Sequence, residues 1–154
     1  MKHLLMVLPL LISSSPLWIQ SAQSHDGHSA ESLGVNVTEL KKSNAMWNGS
    51  PLPNYPDGQP EITILRIKIP KGVRLPWHYH PVINAAVILQ GALELETVHG
   101  NKKIYKKGEA LIEVVNTIHS GKALGEEDVD LVVFYAGQNG VPTTVIDKSK
   151  PINK

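Results

Sequence analysis

From residue 61 onward the chain is a succession of short apolar or alternating runs set between glycine-rich punctuation. Glu61 to Ile69 alternates, with Leu65, Ile67 and Ile69 standing against Arg66 and Lys68. A period of two predicts a half-buried strand, because successive side chains of a strand point to opposite faces. Pro70-Lys71-Gly72 ends it. Ala85 to Leu89 is a continuous apolar run closed by Gln90-Gly91. Ala92 to Val98 alternates again, with Leu93 and Leu95 opposite Glu94 and Glu96. His99-Gly100-Asn101 reads as a hairpin turn. Lys102 to Lys106 and Ala110 to Val115 are further strands, separated at Lys107-Gly108, and Val129 to Ala136 is the last clear one. No stretch of 61–137 sustains a helical period. Several short strands between regular turn signals predict an all-β sandwich or barrel.

The residues before 61 pattern differently. Met1-Lys2-His3 is a short basic start, Leu4 to Ile12 is apolar and broken only by Pro9, and a small-residue stretch follows to Ala22-Gln23-Ser24. That order is the layout of a secretory signal peptide over 1–24, with cleavage after Ser24. The apolar run is too short to span a bilayer, which takes about 20 residues. The expectation is a periplasmic or secreted protein whose mature chain starts at His25. Residues 25–60 then form a short irregular N-terminal extension and loop. It carries His25, Asp26 and His28 at its start, and Pro51, Pro53, Pro56 and Pro60 further on. Residues 61–137 form the barrel core and 138–154 a C-terminal tail.

Composition narrows the chemistry. The 154 residues allow one ordinary domain, and there is no cysteine, so disulfides, thiolate metal sites and cysteine nucleophiles are excluded. The chain has 15 basic and 14 acidic residues. Removing 1–24 takes away Lys2 alone, so the remainder is balanced and offers no bulk attraction for nucleic acid or for anionic membrane. No nucleotide fingerprint, phosphate-cradling glycine loop or Ser-His-Asp set appears.

Of the seven histidines, three fall within the strand-rich region at informative places. His78 and His80 are separated only by Tyr79, so on one strand both rings point to the same face and can meet one ion. His119 follows the expected strand Ala110 to Val115, and an antiparallel barrel can return it to that pair. Three neutral imidazoles suit zinc, copper, nickel and iron and leave coordination positions open. Trp77 and Tyr79 alternate with the histidines and are expected to pack on the other side of the strand. Trp47 precedes the barrel and is placed to cover one of its mouths. His99 lies in a turn and is expected to be solvated.

The run Gly72-Val-Arg-Leu-Pro-Trp-His78-Tyr-His80, with Gly91 in register, resembles the first motif of the cupins, and Gly108 with His119 resembles the second. The sequence departs from the family at Asn84, where a glutamate is usual, and at Val114 and Asn116, where proline and glycine are usual. The resemblance covers roughly 61–137, with a short segment 92–107 between the motifs, as in compact single-domain bacterial cupins. It implies a jelly-roll barrel in which His78, His80, His119 and Asn84 surround one divalent transition metal (Fe, Mn, Ni, Cu or Zn). An amide oxygen at Asn84 can coordinate but brings no charge, so it binds a divalent ion less strongly than carboxylate would. Glu113, in an otherwise apolar strand, is a candidate substitute whose face the pattern does not determine; the plainer expectation is a solvent-facing strand residue. The implied function is a metal-dependent enzyme of dioxygenase or isomerase type acting on a small organic molecule. The alternative is a module that binds a small ligand or metal without turnover. A homodimer is compatible with either.

Overall fold

The structure, a computed structural model, describes residues 34–150. The expected leader, its cleavage point and His25, Asp26 and His28 lie outside the described residues. From Thr38 onward the chain forms one compact unit. Its strands are β1 (Pro60–Ile69), β2 (His78–Tyr79), β3 (Ile83–Gln90), β4 (Ala92–Thr97), β5 (Lys102–Lys106), β6 (Ala110–Ile112), β7 (His119–Leu124), β8 (Val129–Gln138) and β9 (Val145–Ile146). They pair into a four-stranded sheet of order β1-β8-β3-β6 and a five-stranded sheet of order β5-β4-β7-β2-β9. Every strand pairing in the two sheets is antiparallel. The fold is an all-β jelly roll.

The period-two pattern explains which faces meet. Ile69, Ala86, Ile88, Leu111, Leu131 and Val133 are buried in the four-stranded sheet, and Leu93, Leu95 and Ala123 in the five-stranded one; together they form a single apolar cluster. Each fully buried aliphatic side chain of that kind contributes about 1.5–3 kcal/mol. The alternation in β1 is asymmetric. Ile67 and Ile69 turn inward as expected, while Leu65, in the middle of the strand, is 39% exposed.

The turn after β3 depends on glycine. Gly91 has φ +77, and a Cβ there would lie 2.5 Å from the Asp128 carbonyl oxygen, a distance no side chain tolerates. Asn116 has φ 52, the left-handed region. It occupies the position of the second motif where glycine is usual, and asparagine is among the few other residues that adopt this conformation at low cost. The departure at Asn116 thus preserves the turn that leads into β7.

Three elements escape the hydrophobic pattern. β7 reads His-Ser-Gly-Lys-Ala-Leu, and its buried inner positions are His119, Gly121 and Ala123. Its alternation is one of inward small or imidazole groups and carries little apolar contrast. β9 is only Val145–Ile146, and it pairs with β2 through His78↔Ile146 and Tyr79↔Val145. Met46, Trp47 and Leu52 also make backbone hydrogen bonds beyond the strands, and the Trp47 N–H donates to the Ile112 carbonyl at the edge of β6. Strand β6 itself stops at Ile112, short of Val115. Beyond it the chain leaves β3 toward β2, and Val115 forms an isolated parallel bridge with His80.

Candidate metal centre

The three histidines reach one place by two routes. His78 and His119 are directly paired across β2 and β7. His80, two residues along from His78, faces the same way and is held by its bridge to Val115. All three are buried. Their ring centroids are 4.4 Å apart for His78–His119 and 5.0 Å for each of the other two pairs. One ligand nitrogen from each lies within 4.8 Å of the other two. The structure therefore brings together the three histidines singled out from spacing. His99 is exposed, as expected for a turn residue.

The second ring nitrogens explain the orientation. Nδ1 of His78 lies 2.7 Å from the Pro76 carbonyl oxygen. Nδ1 of His80 lies 2.8 Å from that of Thr143, and Nδ1 of His119 lies 2.8 Å from that of Thr117. A carbonyl only accepts, so each Nδ1 carries the proton and each Nε2 keeps its lone pair. Burial, reinforced by the mutual repulsion of the rings, pushes His80 down to about 3. Burial also lowers His78 and His119. The rings are neutral at ordinary pH, the state that a metal requires. Hydrogen bonds from ligand imidazoles to backbone carbonyls are the usual means by which proteins orient them.

Asn84 and Glu113 face each other beside this cluster. The β3–β6 register runs Ala86↔Leu111 and Ala85↔Ile112, and the Glu113 N–H donates to the Asn84 carbonyl at 3.0 Å, so 84 and 113 are the next opposing pair. Both are buried and both line the histidine cavity. Asn84 donates a long, 3.4 Å bond from Nδ2 to the Val82 carbonyl. Oε1 of Glu113 accepts from Trp47 Nε1 at 2.7 Å and lies 3.3 Å from His119 Nε2. Burial pushes the Glu113 carboxyl up to about 7. With His119 lowered and Glu113 raised, both shifts disfavour the charged forms, so the contact between them is not an ion pair. The expectation of a solvent-facing Glu113 is overturned: the structure turns it inward, because it stands opposite the buried Asn84 and is held by Trp47.

Trp47 belongs to the site more closely than a cover over the mouth would. Its indole packs against the core and holds Glu113. The Trp47–Glu113 pair spans 66 residues of sequence, and no local pattern signals it. The same is true of Thr143 and Thr144. Thr144 Oγ1 lies 3.2 Å from His80 Nδ1, and Thr144 and Ile146 line the cavity. Trp77 and Tyr79 are half-buried and take no part in the wall.

A double-sheet β-barrel whose buried histidine triad can hold a metal ion defines the class of protein. Comparison with known proteins agrees. Residues 65–135 match the family of cupin domains. Those residues, just under half of the chain, carry the cupin domain. No curated protein sequence matches it. Among solved structures it is similar to the DMSP lyase DddQ from Ruegeria pomeroyi DSS-3, at TM-score 0.51 and 16% identity over 67% of this chain and 49% of that one. It is also similar to a cupin-like protein from Thermotoga maritima MSB8, at TM-score 0.50 and 19% identity over 56% of this chain and 64% of that one. The chain thus spans about half to just under two thirds of the length of these relatives, and at such identities the likeness is one of fold.

Proposed function

We propose that this protein is a metal-dependent cupin that holds one divalent transition ion through Nε2 of His78, His80 and His119 and acts on a small organic molecule in the same cavity. The observation that carries the reading is the set of three Nδ1–carbonyl hydrogen bonds, which leaves three neutral, convergent Nε2 lone pairs. This donor set fits iron, manganese, nickel, copper or zinc. When bound, such an ion supplies Lewis-acid or one-electron chemistry to an oxygen-donor ligand, with coordination positions left open. The chain's own contribution is to orient the ligand and exclude water: the cavity wall is mostly aliphatic beyond the histidines. Glu113 is the acid–base group of that wall, steadied at Oε1 by the Trp47 indole and placed beside the ion's position to give or take a proton. That group favours turnover of the oxygenase or isomerase type over passive storage.

The test is metal content. Wild-type protein loaded and dialysed is expected to retain one ion per chain, and His78→Ala, His80→Ala and His119→Ala to lose most of it. Unchanged stoichiometry in all three variants would remove the site. The second reading, a binding module without turnover, is favoured by the apolar wall; retention of an unreacted small molecule by wild type and Glu113→Gln alike, seen by native mass spectrometry, would select it. Export is part of the same proposal and rests on the basic start, the apolar run and Ala22-Gln23-Ser24. The mature mass is expected to begin at His25, and an intact N-terminus in recovered extracytoplasmic protein would refute it.

A further inference from the structure

The cavity beneath the histidines measures about 220 Å³. That is below the ~300–1,000 Å³ of clefts that take drug-sized molecules. Its polar groups are the three histidines, Asn84, Glu113, Thr144 and Tyr135, whose ring lies 5.5 Å from that of His80. The rest of the wall is aliphatic, with Leu75, Leu93, Leu95, Leu111 and Leu131 prominent. The lining includes one acidic side chain, Glu113, and no lysine or arginine. A charged group carried into the aliphatic half would lose its water and meet no partner.

One residue sets the shape of that half. On β7 the inward positions are His119, Gly121 and Ala123, so Gly121 lies one inward step, about 6.7 Å, from His119. Leu95 is its partner on β4. A Cβ built at Gly121 would meet Leu93 Cδ1 at 3.1 Å, Leu75 Cδ1 at 3.5 Å and Leu95 Cδ2 at 3.5 Å. Its φ lies outside the left-handed region, so the backbone does not demand glycine here. What the missing side chain leaves is space, next to the metal position and bounded by leucine tips.

We infer that the cavity takes a small ligand with a single metal-binding oxygen head group, of the carboxylate or enolate kind, and an uncharged aliphatic tail, and that Gly121 sets the tail length. The inference rests on the metal reading above and adds the ligand class to it. The head binds at the histidine end beside Glu113, and the tail runs over Gly121 among the leucines. A second anionic group at the far end is rejected, because the leucines cannot solvate it.

The experiment loads the full-length protein with Co(II) and follows the visible absorption of the ion during titration with acetate, butanoate, hexanoate, succinate and adipate. Affinity is expected to climb about three- to four-fold per methylene along the monocarboxylates until the cavity is filled. Adipate is expected to bind at least ten-fold more weakly than hexanoate. Gly121→Ala is expected to keep one cobalt per chain and to end the climb one or two methylenes earlier. Leu93→Val, which shortens the side chain by one methylene in the same space, is expected to extend it, and this second variant keeps the test intact if Gly121→Ala does not fold. Failure of wild type to take up cobalt would defeat the metal reading itself. Cobalt uptake with a flat length series, with adipate equal to hexanoate, or with no change in the length limit in either variant would overturn the ligand class and leave the metal reading standing.

Discussion

At the scale of single residues, the departure from the cupin pattern at Asn84 is answered on the opposite strand. The position that usually carries glutamate holds an amide, and its cross-strand partner Glu113 holds the carboxylate. Opposing side chains on one face of an antiparallel pair stand about 4.5–5.5 Å apart, so an acid moved across the ladder stays beside the same histidines, and Glu113 Oε1 lies 3.3 Å from His119 Nε2. A swap tests this. Glu113→Gln is expected to weaken metal binding roughly ten- to hundred-fold, the usual cost of losing a group that supports a metal site. Asn84→Glu alone places two carboxylates face to face in a buried site, and it is expected to bind less tightly than the double variant Asn84→Glu/Glu113→Gln, which restores a single acid. Competition titration against a chelator measures all four proteins. A double variant no better than Glu113→Gln would show that position 84 does not reach the ion.

At the scale of elements, the longest pairing is β1 with β8, from Pro60↔Gln138 to Ile69↔Val129. It is clamped by a two-pronged contact in which Arg66 Nε and Nη2 donate to Asp130 Oδ1 and Oδ2 at 3.0 and 2.7 Å. The Arg66 guanidinium holds the Asp130 carboxyl below the usual carboxylate range. A folded-state value lower than the unfolded one adds stability above the unfolded value, about 3.9, and that stability is lost as pH falls through the folded value. The increment is small, because Arg66 is well exposed to solvent. Asp130→Asn is therefore expected to lower the melting temperature slightly at pH 7, with the difference from wild type shrinking as pH falls from about 4 through the lowered folded-state value. A difference that persists unchanged into acid would assign the effect to packing instead of charge.

At the scale of the whole molecule, function depends on two sheets closing on each other. The five-stranded sheet supplies the histidines of β2 and β7 and the leucines of β4, while the four-stranded sheet supplies Asn84, Leu111 and Leu131. Neither sheet alone encloses the cavity. The chain before the barrel contributes Trp47 to Glu113, and the chain after β8 contributes the Thr143 carbonyl to His80. Segments outside the recognisable motif thus hold the site in shape.

The sequence by itself determined β1 and β4, where a buried face imposes period two on the chain, and marked β3, β5, β6 and β8 as short runs between turn residues, with β6 ending three residues sooner than expected. It determined the histidine triad, because His-x-His on a strand has only one geometric outcome and the spacing to His119 follows a known motif. It carried too little contrast for β7, where the inner face is imidazole, glycine and alanine, and for β9, where two residues make no pattern. Only the tertiary structure decided that Glu113 faces inward opposite Asn84, that Trp47 grips it, that three backbone carbonyls select the histidine tautomers, and that Gly121 opens room beside His119. Each of these joins residues far apart in the chain or depends on which way a strand is turned, and side-chain periodicity along a single segment records neither.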